Sequence, residues 1–148
     1  MRAVQWFVAL VIMVGMVGCG SSGPAADPLT STAILKRTPE TAHAMVKHIL
    51  LGWTEVHADD ARGKSRDRPT LEKLVEATVA RLKKGDPIEP IMAELSEDPG
   101  SAASGIPYEV TPEAGLVQPF KDLSLRLKVG EIGVVKTEFG IHIIKRME

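Results

Sequence analysis

The fold is decided by a stretch near the end of the chain that reads Ile132-Gly133-Val134-Val135-Lys136-Thr137-Glu138-Phe139-Gly140-Ile141-His142-Ile143-Ile144-Lys145. Two runs rich in β-branched residues stand on either side of a turn that contains Gly140. β-Branched residues fit the pleated surface of a sheet, and a glycine-containing turn between two such runs is typical of a hairpin. The stretch therefore predicts two antiparallel strands, over 132–136 and 141–145.

Two further strands are predicted upstream of this hairpin. Met45 to Leu51 is an apolar run typical of a buried strand, and Tyr108 to Val110 has the composition of a short one. Because the first and the last strands enclose the helical part of the chain, the sequence predicts an α+β fold with an antiparallel sheet.

Three helices are predicted between the strands. Apolar residues recur at helical spacing from Leu71 to Leu82, in a helix that we expect Thr70 to cap and Gly85 to end. A shorter helix is predicted over 88–95, with a proline in its first turn, where a missing N–H is tolerated. The third covers Pro119 to Leu127.

The beginning of the chain has the pattern of an export signal. Arg2 precedes an uncharged apolar stretch, Ala3 to Val17, which is shorter than the ~20 residues that a transmembrane helix needs. The run Met16-Val17-Gly18-Cys19 resembles the bacterial lipoprotein signal, in which the cysteine becomes the lipidated first residue of the mature protein. An ordinary signal peptide followed by an incidental thiol is the alternative.

These patterns divide the chain into three parts. We expect a signal peptide over 1–18, a lipidated flexible tether over 19–40 and a folded domain over 41–148. The tether is rich in Gly, Ser, Thr, Pro and Ala and has no hydrophobic period. The sequence thus predicts an exported protein that Cys19 anchors to the cell envelope, on the periplasmic face of either membrane or on the cell surface.

Charge and motif content argue against several classes of function. The chain has 18 basic and 19 acidic residues and a net charge of -1, so it has no overall field to attract nucleic acid. It contains no HExxH or CxxC pair, which argues against a metal site. It also lacks GxSxG and phosphate-binding glycine loops, so no covalent chemistry and no cofactor is indicated.

Two histidines stand within apolar strands, His48 in the first and His142 in the last. A lone histidine in such a position is more often a hydrogen-bonded core residue than a catalyst, so this pattern alone leaves both interpretations open. His43 and His57 lie at a strand start and in a polar segment, and we assign them no role.

Several blocks of the chain together resemble one known family. They are Val46 to Leu51 with its histidine, Leu95 to Ala102 (LSEDPGSA), Pro119 to Asp122, and the closing stretch from Val129 to Lys145. They resemble the parvulin-type peptidyl-prolyl cis/trans isomerases, over nearly all of 41–148. The resemblance implies a parvulin-like, FKBP-like α+β fold, with about four antiparallel strands packed against three to four helices.

The resemblance also implies an active site. Its polar, catalytic network would consist of His48, Asp98, Thr137 and His142. Its socket for a substrate prolyl ring would consist of Tyr108, Leu116, Phe120 and Phe139. The substrates implied are unfolded or proline-containing polypeptides, whose X–Pro bonds rotate without any bond being made or cut.

One block departs from the family. Ser104 to Val110 replaces the glycine-rich strand that lines the pocket, and Tyr108 falls where the family has leucine. An active isomerase is our first hypothesis, and a non-catalytic module that binds polypeptides as a chaperone or assembly factor is the alternative. A structural envelope lipoprotein with a fortuitous match is a third.

The polar segment Glu55 to Arg68 is predicted to be a mobile loop. The phosphate-selecting parvulins carry a basic cluster in the corresponding place, where this chain has Arg62, Lys64, Arg66 and Arg68. Three aspartates, at 59, 60 and 67, dilute that charge. We therefore predict no preference for phosphopeptides.

Overall fold

The structure is a computed structural model that describes residues 27–56 and 60–148. The predicted signal peptide over 1–18, the proposed lipidation site Cys19 and His57 lie outside the described residues.

Four strands and five helices make up the described part of the chain. In chain order they are α1 Thr32–Leu35, β1 Ala44–Leu51, α2 Ala61–Ser65, α3 Arg68–Lys83, α4 Ile88–Leu95, β2 Tyr108–Val110, α5 Gln118–Ser124, β3 Ile132–Thr137 and β4 Gly140–Arg146. The α+β fold and all four predicted strands are confirmed. The helix count exceeds the predicted three to four because α1 and α2, of four and five residues, are too short to leave a periodic signal.

The four strands form one antiparallel sheet in the order β2-β1-β4-β3. β1 and β4 lie at its centre, where both faces are covered, and they read as nearly continuous apolar runs for that reason. Gly140 opens β4 with a φ of 144°, and a β-carbon there would lie 2.6 Å from the carbonyl oxygen of Leu51. The hairpin can therefore pass this close to the end of β1 only with glycine at that position.

The sheet separates two hydrophobic clusters. On one face, Ile49 and Ile143 pack beneath α3 and α4. On the other face, Val46 and Ile144 pack beneath α1 and α5, together with Phe120. Since side chains alternate along a strand, His48 lies on the same face as Val46, beside α5.

Helix α3 begins earlier than its sequence pattern predicted. Asp67, not Thr70, is the N-cap: its side chain accepts a hydrogen bond from the backbone N–H of Thr70 at 2.9 Å. Pro69 follows in the first turn, where its missing N–H costs nothing. Helix α5 is shorter than the helix predicted up to Leu127. It ends at Ser124, and a turn carries the chain on to Leu127.

The segment before β1 differs from the tether predicted over 19–40. Ile34 of α1 is buried, and Ser31 exchanges two hydrogen bonds with the backbone of Val134, at 2.8 and 2.9 Å. Arg37 also forms an ion pair with Glu131 at 2.8 Å. Residues 27–40 thus belong to the folded unit and cover the outer edge of β3, which the polar composition of this segment did not reveal. We call residues 27–40 the N-terminal strap.

None of the helices within 27–56 and 60–148 is both long and apolar enough to cross a membrane.

Candidate active site

His48 and His142 meet on the face of the sheet that carries α5. His142 lies opposite Leu50 in the β1–β4 register, and Leu50 is two residues from His48 on the same face of β1. The two histidines are therefore diagonal neighbours on that face. The two Nδ1 atoms are 3.0 Å apart, and the rings are nearly parallel, at 12°. Both side chains are buried, which means that each ring nitrogen needs a hydrogen-bond partner inside the protein.

Asp98 reaches this pair because the segment before it is bound to the end of β1. The N–H of Leu50 donates to Ser96 Oγ at 3.1 Å, and the N–H of Glu97 donates to the carbonyl of Leu50 at 2.8 Å. The N–H of Gly52 donates to Glu97 Oε2 at 2.9 Å. These three bonds fix the chain immediately before Asp98, so that its carboxylate lies 3.3 Å from His48 Nε2.

A buried ion pair reinforces this attachment. The side chain of Glu97 is fully buried, and its Oε1 accepts a hydrogen bond from Arg66 at 2.7 Å. Arg66 also donates to the carbonyl of Gly52 at 2.6 Å. A buried carboxylate without a partner would be strongly unfavourable, so Arg66 and Glu97 together hold the segment before α3 against the end of β1.

The Asp98 carboxylate is held by four donors. Ser101 donates to Oδ2 from its N–H at 2.9 Å and from its hydroxyl at 2.6 Å. The Tyr108 hydroxyl donates to the same oxygen at 3.1 Å, and His48 Nε2 is the fourth partner. These bonds hold the pKa of Asp98 well below its usual range, with the largest effect from the bond of His48, and they outweigh burial, which raises the pKa. Asp98 is therefore an anion at neutral pH.

Thr137 closes the other end of the network. Its Oγ1 lies 2.8 Å from His142 Nε2 and accepts a hydrogen bond from the N–H of Phe139 at 3.1 Å. Burial, and then the neighbouring His48 ring, lower the pKa of His142 to about 3. His142 is consequently neutral at physiological pH, and its two nitrogens act as one donor and one acceptor.

An open cavity of about 810 Å³ adjoins the network. All four residues predicted to form the prolyl socket line it: Tyr108, Leu116, Phe120 and Phe139. The Phe120 ring meets His48 and His142 edge to face, with centroids 5.1 and 5.3 Å away, while Phe139 is half exposed at the hairpin turn. The structure thus brings the predicted socket and network together around one cavity; of the network, His48, Asp98 and His142 line it, and Thr137 stands behind His142.

The segment predicted to be a mobile loop forms part of the cavity wall. Asp60 caps α2 by accepting from the N–H of Arg62 at 2.7 Å. The Arg62 guanidinium binds the Asp60 carboxylate and donates to the carbonyls of Glu94 and Ser96, at 3.1 and 3.0 Å. From Asp60 onward the segment is therefore attached to the end of α4.

Residues 31–148 match the PPIC-type PPIase domain family. The chain belongs to this family, the parvulins. A foldase protein PrsA from Geobacillus kaustophilus is 39% identical over 75 residues, which are 50% of this chain and 27% of that protein. The parvulin NmPin of Nitrosopumilus maritimus has a TM-score of 0.52 at 31% identity, covering 73% of this chain and 98% of NmPin. The crystal structure of PrsA from Bacillus subtilis has a TM-score of 0.53 at 28% identity, covering 72% of this chain and 35% of that one.

The predicted family and fold are thereby confirmed. The parvulin match begins at residue 31, inside the N-terminal strap and ahead of the boundary at 41 that the sequence suggested. The stretch shared with the Geobacillus PrsA is about a quarter of that protein's length.

The sequence assigned no role in the candidate site to three residues that hold its parts in place. Ser101, Glu97 and Arg66 were not among the residues predicted for the site. Two of them lie in the block LSEDPGSA, and Arg66 was named only as part of the basic cluster after the first strand. The spacing of Asp98 and Ser101 was the one detectable signal, because a carboxylate that accepts from the N–H three residues later is the usual N-cap arrangement. Nothing local in the sequence pairs Arg66 with Glu97, which lie 31 residues apart.

Proposed function

We propose that this chain is a peptidyl-prolyl cis-trans isomerase that accelerates rotation about X–Pro bonds in exported or envelope proteins. The observation that carries the proposal is the placement of an apolar wall, Leu116, Phe120 and Phe139, beside a buried polar network that ends in an anionic carboxylate. The substrates would be unfolded or proline-containing polypeptides, and the reaction would need neither a metal nor a cofactor.

The apolar wall would act by holding the prolyl ring and excluding water. Rotation about the X–Pro bond breaks amide resonance, which opposes it with a barrier of about 18–20 kcal/mol. The planar amide is more dipolar than the twisted one, so an environment with little water disfavours the starting state. Phe120, which is nearly fully buried, and Leu116 provide that environment on the α5 side of the cavity.

The network would act through the charge of Asp98. A planar amide carries partial negative charge on its oxygen, and that charge falls as the bond twists. A carboxylate near the oxygen therefore opposes the planar form more than the twisted one, which lowers the barrier between them. His48, His142 and Thr137 would hold this carboxylate in place through one continuous chain of hydrogen bonds.

The cis-to-trans relaxation of Ala-Pro peptides, followed with protein that comprises residues 19–148, tests the proposal. We expect acceleration by the native sequence and its loss in Asp98→Ala and His142→Ala. His43→Ala is the matched control, because the side chain of this exposed histidine pairs with exposed Glu109 and lies outside the cavity lining. No acceleration by folded native protein would overturn the proposal.

A non-catalytic binding module is the second candidate. The observation that favours it is the segment 104–110, where Tyr108, instead of the family's leucine, contributes a polar side chain to the cavity lining. Such a module would bind unfolded chains in the same cavity as a holdase or assembly factor. Suppression of the aggregation of a reduced, unfolded protein, without any isomerase activity, would favour this candidate over the first.

We also propose that Cys19 is lipidated and anchors the protein to the cell envelope. Support comes from the apolar stretch up to Val17, the small residue before Cys19 and the polar residues after it. We expect the mature protein to begin at an acylated Cys19, as measured by mass spectrometry of its N-terminal peptide. We expect Cys19→Ser to move the protein from the membrane fraction to the soluble fraction, and an unmodified Cys19 would contradict the proposal.

A further inference from the structure

We propose that Tyr108 is a positioning residue, whose hydroxyl fixes the Asp98 carboxylate in its place beside His48. The inference rests on the proposed isomerase function and deepens it, because it assigns Tyr108 a task beyond lining the socket. It concerns the hydroxyl group alone, and not the aromatic ring.

The strand pairing brings Tyr108 to this place. Tyr108 is opposite Val46 in the register of β2 with β1, so it shares a face with His48, two residues further along β1. The two rings meet edge to face, with centroids 5.2 Å apart at 84°. This contact directs the Tyr108 hydroxyl past His48 to Asp98 Oδ2, 3.1 Å away.

The hydroxyl completes an enclosure of one carboxylate oxygen. Oδ2 is approached by His48 from the sheet, by Ser101 from its own loop and by Tyr108 from the edge strand. All the hydrogen bonds that the described residues donate to the Asp98 carboxylate end on this oxygen, which leaves Oδ1 without a donor among them. Since the three donor residues approach from three different parts of the fold, rotation of the carboxylate would break several charge-assisted bonds at once.

The backbone around Asp98 provides space for this hydroxyl. A β-carbon at Gly100 would lie 2.7 Å from Tyr108 Oη, closer than two such atoms can approach, and 3.5 Å from Asp98 Oδ2. The turn after Asp98 thus leaves room for the tyrosine because residue 100 is a glycine. This observation is independent of the hydrogen bond between Tyr108 and Asp98. Burial and the nearby Asp98 charge also raise the pKa of Tyr108, so its hydroxyl keeps its proton and remains a donor.

Tyr108→Phe is the decisive variant because it removes the hydroxyl and keeps the ring contacts. The first measurement is the χ1 rotamer distribution of Asp98, obtained from three-bond couplings by NMR. We expect one rotamer in the native protein and averaging over several in Tyr108→Phe. Ser104→Ala is the matched control and should leave the single rotamer unchanged. Ser104 lies in the same loop, and its hydroxyl donates to the carbonyl of Gly100 at 3.4 Å and accepts from the N–H of Ile106 at 3.3 Å, not from or to Asp98.

The second measurement is a double-mutant cycle on kcat/KM with Asp98→Asn. We expect Tyr108→Phe to lower kcat about tenfold with little change in KM, as for the loss of a hydrogen bond to a charged group. In the Asp98→Asn background the same change should have almost no effect, because Tyr108 acts through Asp98.

The two measurements separate the inference from the function on which it rests. A native protein without isomerase activity would overturn the proposed function, and the rotamers of Asp98 would still decide the role of Tyr108. A single Asp98 rotamer in Tyr108→Phe would overturn the inference, whether or not the native protein is active. Rotamer averaging with unchanged kcat in an active enzyme would overturn it too, since the positioning would then have no effect on the reaction.

Discussion

The Nδ1 atom of His48 and the Nδ1 atom of His142 face each other across 3.0 Å, at the centre of the buried network. Two such nitrogens can form a hydrogen bond only if one of them carries a proton and the other does not. The anionic Asp98 determines which one, because it can only accept and so requires a proton on His48 Nε2. In a neutral His48 the Nδ1 atom is then the acceptor.

We therefore predict the tautomers of both rings at pH 8. His48 should carry its proton on Nε2 and His142 on Nδ1, so that His142 Nε2 accepts from the hydroxyl of Thr137. The ¹⁵N shifts and long-range ¹H–¹⁵N correlations of the two imidazoles measure this directly. A proton found on His142 Nε2 would contradict the direction of the network.

The stability of the domain should fall as the pH drops from 6.5 towards 3. His142 has its pKa lowered to about 3 in the folded protein, from an ordinary value of 6.5. Between these values the unfolded chain binds a proton that the folded protein does not, so the free energy of unfolding rises with pH there, by on the order of 1 kcal/mol per unit. The full contribution of His142 to the free energy of unfolding is present above pH 6.5.

Urea unfolding at several pH values measures this slope. His142→Gln removes the titrating imidazole, so the free energy of unfolding of this variant should change less between pH 4 and 6 than that of the native protein. The carboxylates of the domain affect both proteins alike. Equal slopes in the two proteins would show that His142 takes up a proton as readily in the folded protein as in the unfolded chain, which would contradict the prediction.

Most of the fold was predictable because its signals are local. β-Branched runs and a glycine turn determine β3 and β4, and the strand over Tyr108 to Val110 was predicted within the bounds that the structure shows. The strap was not predictable, since its attachment depends on single residues such as Ser31 and Ile34 that meet β3 and α5 only in the folded protein.

The candidate site was predictable only in part, and only through the family resemblance. Periodicity alone could not distinguish His48 and His142 from core residues. What the resemblance could not supply was the set of individual contacts, such as that of the Tyr108 hydroxyl with Asp98, because they depend on distances between segments that the resemblance does not give.

Glu97→Gln should be strongly destabilising. The change leaves the Arg66 guanidinium, only 11% exposed, without its anionic partner, and breaking a buried ion pair costs about 3–5 kcal/mol. Glu94→Gln is the matched control, because its pair with Arg81 is exposed, and such pairs contribute less than about 1 kcal/mol. Denaturant unfolding compares the two, and similar losses in both would contradict the structural role of Glu97.

Phosphorylation of a Ser-Pro peptide should not increase its affinity. A phosphate needs guanidinium donors that face it, whereas Arg62 already binds Asp60 and two carbonyls, and Arg66 binds Glu97. NMR titration with plain and phosphorylated peptides measures the difference, and tighter binding of the phosphorylated form would contradict the prediction. Asp60→Asn should shift the preference towards phosphate, since it removes the anion that now occupies Arg62.

The last prediction concerns the N-terminal strap. A chain that begins at residue 27 should be more stable than one that begins at residue 41, by more than about 2 kcal/mol, because burial of one isoleucine alone contributes that amount. Ile34 packs in the same cluster as Phe120, so the shorter chain should also lose order at the socket wall.

Thermal unfolding and the ring-proton shifts of Phe120 measure the two effects. Ile34→Ala in the longer chain separates the apolar contact from the hydrogen bonds of Ser31, and we expect it to reproduce most of the loss in stability. Two chains of equal stability and unchanged Phe120 shifts would mean that residues 27–40 contribute nothing to the fold, as expected of the tether that the sequence alone predicts.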